Sequence, residues 1–323
     1  MDLVTFGEAM VRLTPPGGAF QRLEQAHSFD VHVGGSELNV AVLAARLGVK
    51  SRWVSRLPDN ALGRMIAARA REQGVDARVE WTADGGGRVG LYFVEHGGAR
   101  ISSVLYDRAG SAFSRVTPGS IDWASVFAGA RWYHVSGITP ALSDGAAKVT
   151  AESLVAAKRA GLTVSYDLNY RSKLWSAKQA CAAQEPLMEY VDVLTTTAED
   201  ARVVFGIGGD DHAEVARALQ KRFDVSAVAI TLRDNPVAAV IAADGKLYSA
   251  PRFEVESMDP IGAGDAFCGG LIVSRLETRG WDDAVRFATA TAALKHTIAG
   301  DFCLVTRAEV DQLLRGASLR VSR

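Results

Sequence analysis

A short glycine-rich stretch ahead of a predicted helix holds the residues best suited to chemistry. Gly262, Ala263 and Gly264 are followed by Asp265 and by an apolar segment that predicts a helix to about Glu277. Unpaired backbone N–H groups at a helix N-terminus, together with the helix dipole, form a site for an anion. A carboxylate beside that site would repel a phosphate. Its expected task is therefore to accept a proton from the group that attacks the phosphate.

The same stretch also has a purely structural interpretation. Aspartate is a favoured helix N-cap, and glycines precede many helices for steric reasons alone. Two familiar phosphate motifs are excluded: no Lys-Ser/Thr pair follows the glycines, as a P-loop requires, and Phe267 stands at the third glycine position of a dinucleotide fingerprint. Asp265 is thus a candidate base whose role must be supported by the rest of the chain.

Composition and charge limit the classes to which the protein can belong. With 323 residues, 48% of them hydrophobic, the chain can bury a large core as one α/β domain or as two smaller ones. A formal net charge of −1 gives no support to binding of nucleic acid or of an anionic membrane. Three widely spaced cysteines suggest neither a disulfide framework nor a zinc site. With no signal peptide and no apolar run of transmembrane length, we expect a cytoplasmic enzyme or small-molecule binder.

Strands and helices alternate along the chain and must position these residues. Strands are predicted at 3–6, 52–57, 131–135, 163–168, within 187–195, at 227–232 and at 237–242. The first helix is predicted to follow Ser36 as its N-cap and to run through Leu47. Further helices are predicted at 61–73, 143–160, 198–205 and 211–222, around Asp265, at 281–298 and from about 307. Apolar strands in this alternation predict a mostly parallel sheet with helices on both faces. Ligands of such folds bind at the carboxyl ends of the strands.

Segments of about 11–33 and 86–113 predict a small β-sheet lid within the same fold. Residues 89–95 and 101–106 alternate around a glycine-containing turn, which is the pattern of a β-hairpin. The earlier segment is expected to be irregular apart from an alternating strand at 29–33. Because open sheet edges tend to be covered, a homodimer formed through this lid is a further expectation.

Two glycine-rich signatures at opposite ends of the chain resemble those of a known family. The stretch GGSELNVA at 34–41, continuing to Gly48, resembles the N-terminal signature of the ribokinase-like (phosphofructokinase B) sugar kinases, and residues 259–270 resemble their C-terminal signature. Both match at nearly every defining position, in the right order and spacing. The resemblance implies a single ribokinase-like α/β kinase domain over 1–323, with ATP and Mg²⁺ as cofactors. It also makes the purely structural interpretation of Asp265 improbable.

Within the family, further stretches look like the kinases of 2-keto-3-deoxygluconate. They are Leu91-Tyr92, Tyr106 to Ala112, Ser136 to Ser143, Asp167 to Arg171 with Leu174-Trp175, and Leu294 to Phe302. The resemblance implies transfer of the γ-phosphoryl group of ATP to a primary hydroxyl of this sugar acid, which gives the 6-phosphate. Asp265 would be the general base, and the amides of residues 262–264 would hold the charge on the migrating group.

The resemblance also implies residues for each substrate. Arg108 and Arg171 are the candidates for the carboxylate of a sugar acid, which matches the fork of a guanidinium. The other candidates for the sugar are Gly34, Gly35, Asn39, Tyr92, Tyr106 and Ile138. The candidates for the nucleotide are Thr231, Arg233, Asp200 and residues 262–264. Taken singly, each arginine could be a solvated surface charge, and Asn39 an exposed polar residue of its helix.

The metal and nucleotide ends depart from the family pattern. Mg²⁺ is needed to neutralise phosphate charge, but no carboxylates cluster in the sequence, so phosphates and water would mainly hold it. Asp200 and Thr197 stand where the family has the glutamate and asparagine of an Asn-x-x-Glu motif, so Asp200 is either a metal or phosphate residue or an exposed carboxylate at a helix start. Residues 233–236 replace the usual Gly-x-x-Gly turn. A monovalent cation is left open.

Three functions are consistent with these residues. The leading one is an ATP-dependent 2-keto-3-deoxygluconate kinase, although the sequence does not separate the gluconate from the galactonate epimer. The second is the same chemistry on a neutral sugar such as fructose or ribose, and a site built around arginine should strongly reject such a ligand. The third is a catalytically silent sensor of sugar acids. Retention of Asp265 argues against that third function.

Overall fold

The computed structural model describes residues 1–17, 21–82, 87–97, 102–232 and 235–316. Its strands are β1 (Leu3–Phe6), β2 (Met10–Thr14), β3 (Asp30–Gly34), β4 (Ser51–Pro58), β5 (Asp76–Thr82), β6 (Leu91–Glu95), β7 (Ser103–Asp107), β8 (Trp132–Ser136), β9 (Thr163–Asp167), β10 (Val193–Thr196), β11 (Ala227–Leu232), β12 (Ala238–Ala243) and β13 (Lys246–Ser249). Its α-helices are α1 (Ser36–Arg46), α2 (Ala61–Glu72), α3 (Trp123–Phe127), α4 (Asp144–Arg159), α5 (Ala177–Gln184), α6 (Ala198–Phe205), α7 (His212–Phe223), α8 (Ala263–Leu276), α9 (Trp281–Lys295) and α10 (Arg307–Leu314).

The main sheet has nine strands in the order β13-β12-β11-β10-β9-β8-β1-β4-β5. All neighbours from β11 to β5 run parallel, and only β12 and β13 are antiparallel. Adjacent side chains of β1 enter opposite cores, because successive residues of a strand point to opposite faces. Leu3 lies in the core that also contains residues of α1, α8 and α9, and Val4 lies in the core that contains residues of α4, α6 and α7. The predicted parallel sheet covered on both faces is confirmed.

The second sheet has four strands in the order β3-β2-β6-β7. The predicted hairpin is confirmed, since β6 and β7 pair antiparallel with Tyr92 opposite Tyr106. One side of this sheet packs on α1 and α2 through Val11 and Val33. Its exposed apolar residues include Leu105, which is 60% exposed.

The expectation of an irregular segment from residue 11 was wrong at its start, because β2 spans Met10–Thr14. The strand was missed because of Arg12, since a charged residue within an apolar run normally indicates the end of a buried strand. In the structure Arg12 is 1% exposed and is neutralised by ion pairs to two aspartates. The edge strands β5 and β13 were also missed, because their half-buried polar residues give no apolar run.

Helix α1 starts at Ser36 itself, with Gly35 as N-cap, so the predicted capping role of Ser36 was wrong. Its hydroxyl is bonded elsewhere, as described below. Part of the hairpin turn predicted at 96–99, the start of its second predicted strand at 101 and the predicted break at 84–86 lie outside the described residues. None of the described helices is long and apolar enough to span a membrane.

Helix α8 is set deep between α1 and α9 because two glycines remove side chains from the contact. A Cβ atom on Gly269 would lie 2.9 Å from Leu43, and one on Gly270 would lie 2.4 Å from the hydroxyl of Thr291. That hydroxyl contacts the carbonyl oxygen of Ala266 in the first turn of α8, at 2.9 Å. The close packing fixes where the N-terminus of α8 points.

Candidate active site

A cleft opens where the carboxyl ends of β9, β10 and β11 meet the N-terminus of α8. Its volume is about 400 Å³, within the range of small-molecule sites. The strand ends contribute Asp167, Asn169, Thr195, Thr196, Thr197 and Thr231, and the small sheet contributes Tyr92 and Tyr106. Residues 260–265 form the wall between them. The C-terminal glycine-rich signature and the small sheet therefore line one cleft, and Ser36 and Asn39 of the N-terminal signature reach it through Asp265.

The turn before α8 is shaped by Gly262. Its φ of 89° is in the left-handed region, and a Cβ atom there would lie 2.3 Å from the carbonyl oxygen of Asp301. The backbone N–H of Ala263 donates to the carbonyl oxygen of Pro260 at 3.1 Å, whereas those of Gly262 and Gly264 have no acceptor among the described residues. A Cβ atom on Gly264 would have no neighbouring heavy atom within 4 Å. The helix N-terminus can therefore accept an anion, with Gly264 as the most accessible donor.

Asp265 lies in the first turn of α8 and lines the cleft. Ser36 Oγ donates to its Oδ1 at 2.6 Å, and Asn39 Nδ2 donates to its Oδ2 at 2.7 Å. Burial raises the pKa of Asp265 above that of an ordinary aspartate, and the hydrogen bonds from Ser36 and Asn39 oppose that rise. Asn39 is 4% exposed, so the interpretation as an exposed helical residue was wrong.

A buried ionic network lies behind the glycine turn. The Arg12 guanidinium donates to Asp259 at 2.7 Å and to Asp301 at 3.0 Å. The hydroxyl of Tyr92 donates to the other oxygen of Asp301 at 2.6 Å, and Asp259 also accepts the backbone N–H of Gly300 at 2.9 Å. These contacts tie β2 and β6 of the small sheet to the segment that leads into α8.

A buried lysine completes this network. Lys295, at the end of α9, is 0% exposed, and its Nζ donates to the carbonyl oxygens of Asp259 at 3.0 Å and Ile298 at 2.9 Å. Burial lowers the pKa of Lys295, and the nearby Asp259 and Asp301 oppose that shift. A fixed ammonium thus sits among main-chain carbonyls under the glycine turn.

The two candidate arginines have different surroundings. Arg171 lines the cleft and has no carboxylate partner among the described residues, with one hydrogen bond of 3.1 Å to the carbonyl oxygen of Tyr170. Arg108 is held by a buried carboxylate, Glu8, to which its Nε donates at 2.8 Å. Both arginines border a second cavity next to the cleft, which they share with Tyr106. Neither is a freely solvated surface charge.

The remaining candidates for the sugar are packed around the cleft rather than inside it. A Cβ atom on Gly34 would lie 2.2 Å from Asp301 and 2.3 Å from the Tyr92 hydroxyl, and one on Gly35 would lie 2.2 Å from the carbonyl oxygen of Glu8. Ile138 lines neither the cleft nor the adjoining cavity. These glycines therefore permit close approach of the small sheet to α1.

The nucleotide candidates are only partly placed in the cleft. Thr231 lines it together with Leu232, Val237, Ala238, Ala292 and His296. Arg233 lies outside the described residues. Asp200 is 7% exposed in the first turn of α6 and does not line the cleft, so its interpretation as an exposed carboxylate was wrong. No group of three or more metal-binding side chains occurs among the residues that the structure describes.

Several residues of the site were not predicted to act there. Asn169 has a φ of 41° and donates from Nδ2 to Ser36 Oγ at 3.2 Å, and Asp167 lines the cleft beside it. The position of their loop after a buried strand was the available signal. Arg12 and Asp301 gave no such signal, because they are 289 positions apart.

Comparison with known proteins places the chain among sugar kinases. The family described as pfkB family carbohydrate kinase matches residues 1–301. A 2-dehydro-3-deoxygalactonokinase of Haloferax volcanii is 41% identical over 323 residues, covering 100% of this chain and 99% of its own. A crystal structure of 2-dehydro-3-deoxygluconokinase from Thermotoga maritima matches with a TM-score of 0.93 at 38% identity, covering 98% of both chains. An E. coli structure in complex with ATP and Mg²⁺ shares the fold, with a TM-score of 0.86 at 19% identity over 98% of this chain and 99% of its own.

Proposed function

The chain belongs to the pfkB family of carbohydrate kinases, and from this premise we propose that it phosphorylates 2-keto-3-deoxygluconate (2-dehydro-3-deoxygluconate) at its primary hydroxyl with ATP. The observation that carries the proposal is the juxtaposition of a carboxylate, Asp265, with the N-terminus of α8 at one cleft. The single kinase domain over 1–323, with the small sheet as its lid, belongs to the same proposal.

Asp265 is the proposed general base. Its carboxylate is oriented by Ser36 and Asn39 through one hydrogen bond to each oxygen, which leaves lone pairs free for a substrate hydroxyl. In-line transfer needs this hydroxyl oriented toward the γ-phosphorus while its proton leaves. Positioned base catalysis contributes on the order of 10²–10⁴ in rate.

The N-terminus of α8 is the proposed anion hole. Charge spreads over the oxygens of the migrating phosphoryl group, and fixed backbone donors stabilise it without reorganisation. Gly262 and Gly264 offer N–H groups that have no acceptor among the described residues. The N–H of Ala263 already donates to Pro260, so Ala263 contributes through the helix dipole. Mg²⁺ neutralises phosphate charge when bound, and phosphate oxygens and water would mainly hold it. Thr195, Thr197 and Thr231 would line the nucleotide, and Asp200 lies next to Thr197, whose hydroxyl accepts the backbone N–H of Asp200 at 3.0 Å.

The carboxylate of the sugar acid is proposed to meet Arg171, with Arg108 across the adjoining cavity. Arg171 is the cleft cation that lacks a carboxylate partner among the described residues, so a substrate carboxylate would complete its pairing. Arg108 would bind the same carboxylate with its guanidinium held in place by the hydrogen bond to Glu8. Tyr106 stacks on Tyr92, with ring centroids 5.9 Å apart, and would cover the sugar from the small sheet.

The galactonate epimer is a second candidate substrate, favoured by the name of the Haloferax relative. A coupled assay of ADP release over the gluconate and galactonate epimers, fructose and ribose tests both. We expect turnover of a 2-keto-3-deoxy sugar acid and kcat/KM lower by orders of magnitude for the neutral sugars. Turnover of fructose or ribose at equal efficiency would overturn the assignment, and absence of any turnover would favour a sensor.

Asp265→Asn tests the base. The variant is isosteric and keeps the packing of α8, so we expect unchanged folding and kcat reduced by at least about 10²-fold. Near-full kcat would refute the assignment. Asp122→Asn serves as the comparison, because Asp122 caps α3 away from the cleft lining and asparagine is an equally good N-cap.

We propose that turnover needs no added monovalent cation, because the ammonium of Lys295 already binds the carbonyl oxygens of Asp259 and Ile298. Rates in K⁺, Na⁺ and tetramethylammonium buffers should agree. Activation by K⁺ alone would contradict this.

A homodimer formed through the small sheet and a cytoplasmic location complete the proposal. Val31 and Leu105 are 53% and 60% exposed on that sheet, which is apolar area that a second copy could cover. The thiols of Cys268 and Cys303 are unpaired and buried, consistent with a reducing compartment. A monomeric mass in solution would refute the dimer.

A further inference from the structure

A chain of three hydrogen-bonding side chains ends on the proposed base. Asn169 Nδ2 donates to Ser36 Oγ at 3.2 Å, and Ser36 Oγ donates to Asp265 Oδ1 at 2.6 Å. Asn169 is 5% exposed and belongs to the loop after β9, whereas Ser36 is the first residue of α1. Ser36 therefore connects three separate segments of the fold: the loop after β9, the start of α1 and the start of α8.

The direction of this chain follows from the chemistry of its members. A serine hydroxyl has one hydrogen to donate and two lone pairs that accept. Because the amide of Asn169 occupies a lone pair of Ser36, the hydroxyl hydrogen points to Asp265. Asn169 has a φ of 41°, a conformation that asparagine tolerates better than most residues.

We infer that Ser36 is a positioning residue for Asp265, which holds the carboxylate ionised and oriented and is itself held by Asn169. The inference rests on the proposed function, in which Asp265 is the base. A hydrogen bond donated to a carboxylate stabilises its charged form. It thereby offsets the burial of the base, which otherwise favours the protonated and inactive form.

Asn39 donates to the other carboxylate oxygen of Asp265, Oδ2. The backbone N–H of Gly35 donates to Asn39 Oδ1 at 3.4 Å, which turns the Nδ2 group toward Asp265. Asn39 lies in the signature stretch, next to the expected sugar. Ser36 is therefore the better residue to test, because a change of its hydroxyl leaves the predicted sugar contacts in place.

The test is clear only if the variant leaves the other ionisable groups around Asp265 in the same positions and hydrogen bonds. They are Arg171, Asp301, Asp167, Cys268, Tyr92 and His296. Arg171 lowers and Asp301 raises the pKa of Asp265. None of these side chains receives a hydrogen bond from Ser36, so its substitution should act on Asp265 and Asn169 and leave the hydrogen bonds of these other groups unchanged.

The experiment is the pH profile of kcat/KM for Ser36→Ala and Ser36→Thr against the unchanged enzyme. A hydrogen bond to a charged group contributes enough to move a pKa by about one unit. We expect the acidic limb of Ser36→Ala to move about one pH unit upward, with a lower rate at high pH because the carboxylate is also less well oriented. Ser36→Thr keeps the hydroxyl and should restore the original limb.

Asn169→Gly supplies an independent second variant, since glycine accepts the left-handed backbone and removes only the amide. We expect a smaller shift in the same direction, and no further shift when it is combined with Ser36→Ala, because the two residues act as one unit. A melting curve for each variant confirms folding.

An acidic limb that stays in place in Ser36→Ala, with or without a lower rate, overturns the inference. So does a shift that Ser36→Thr shares. The proposed function fails separately, through an active Asp265→Asn. An inactive Asp265→Asn with an unshifted Ser36→Ala would leave the base in place and refute only the role of Ser36.

Discussion

Replacement of Arg12 by methionine probes the contact that joins the two sheets. Methionine keeps most of the length and volume of the side chain but removes the guanidinium. Asp259 and Asp301, 2% and 5% exposed, would then lie buried without their cation. His96, 2.9 Å from the guanidinium, would lose its contact as well.

The magnitude follows from burial. Removal of one member of a buried ion pair costs about 3–5 kcal/mol, because the remaining charge is left uncompensated. Here one cation serves two carboxylates at 2.7 and 3.0 Å, and Lys295 compensates only part of the charge from the far side. We therefore expect the free energy of unfolding to fall by about 4 kcal/mol. We also expect kcat to fall, since Asp259 leads into the glycine turn.

The assay is urea unfolding followed by tryptophan fluorescence, with kcat measured on the same preparations. Arg64→Met is a matched control, because Arg64 pairs with Asp59 at 2.6 Å but both side chains are more than half exposed. That variant should lose no more than about 1 kcal/mol. The triple variant Arg12→Met with Asp259→Asn and Asp301→Asn should regain part of the stability. If Arg12→Met cost as little as the control, the network would not join the sheets as argued.

Three further predictions concern other residues. Burial raises the pKa of Glu37 from 4.5 to about 7, so the folded protein holds this proton more tightly and the free energy of unfolding should fall by up to about 3 kcal/mol as pH rises through that range. Glu37→Gln should remove this slope in urea titrations at a series of pH values, and an unchanged slope would contradict the shift. Gly262→Ala combines a left-handed φ with a clash against Asp301, so kcat should fall at least about 10²-fold in ADP-release assays, and an active variant would refute the anion hole. Arg171→Met should raise KM for the sugar acid about 10²-fold while KM for ATP stays constant, and a rise confined to ATP would place the arginine at the nucleotide.

The sequence was most informative where periodicity and glycine signatures coincide. The parallel sheet, the hairpin and the α8 turn followed from apolar runs and punctuating glycines, which act locally. Arg12 and Asp301 could not be paired in advance, because charge compensation across 289 positions leaves no local pattern. The missed β2 strand has the same cause. Ser36 was predicted to cap its helix, and only the approach of α8 to α1 shows that its hydroxyl serves Asp265.

The walls of the cleft come from distant parts of the chain. The wall toward the expected nucleotide includes Thr231, Val237 and Ala238 on the β11–β12 hairpin, whereas the wall toward the expected sugar includes Tyr92 and Tyr106 on the small sheet. These two surfaces share no strand, and the glycine turn of α8 lines the same cleft as both. Phosphate-donor preference and acceptor preference should therefore be separable traits in protein engineering. A library in the hairpin could change the donor while the acceptor is kept, provided that the turn between them is left untouched.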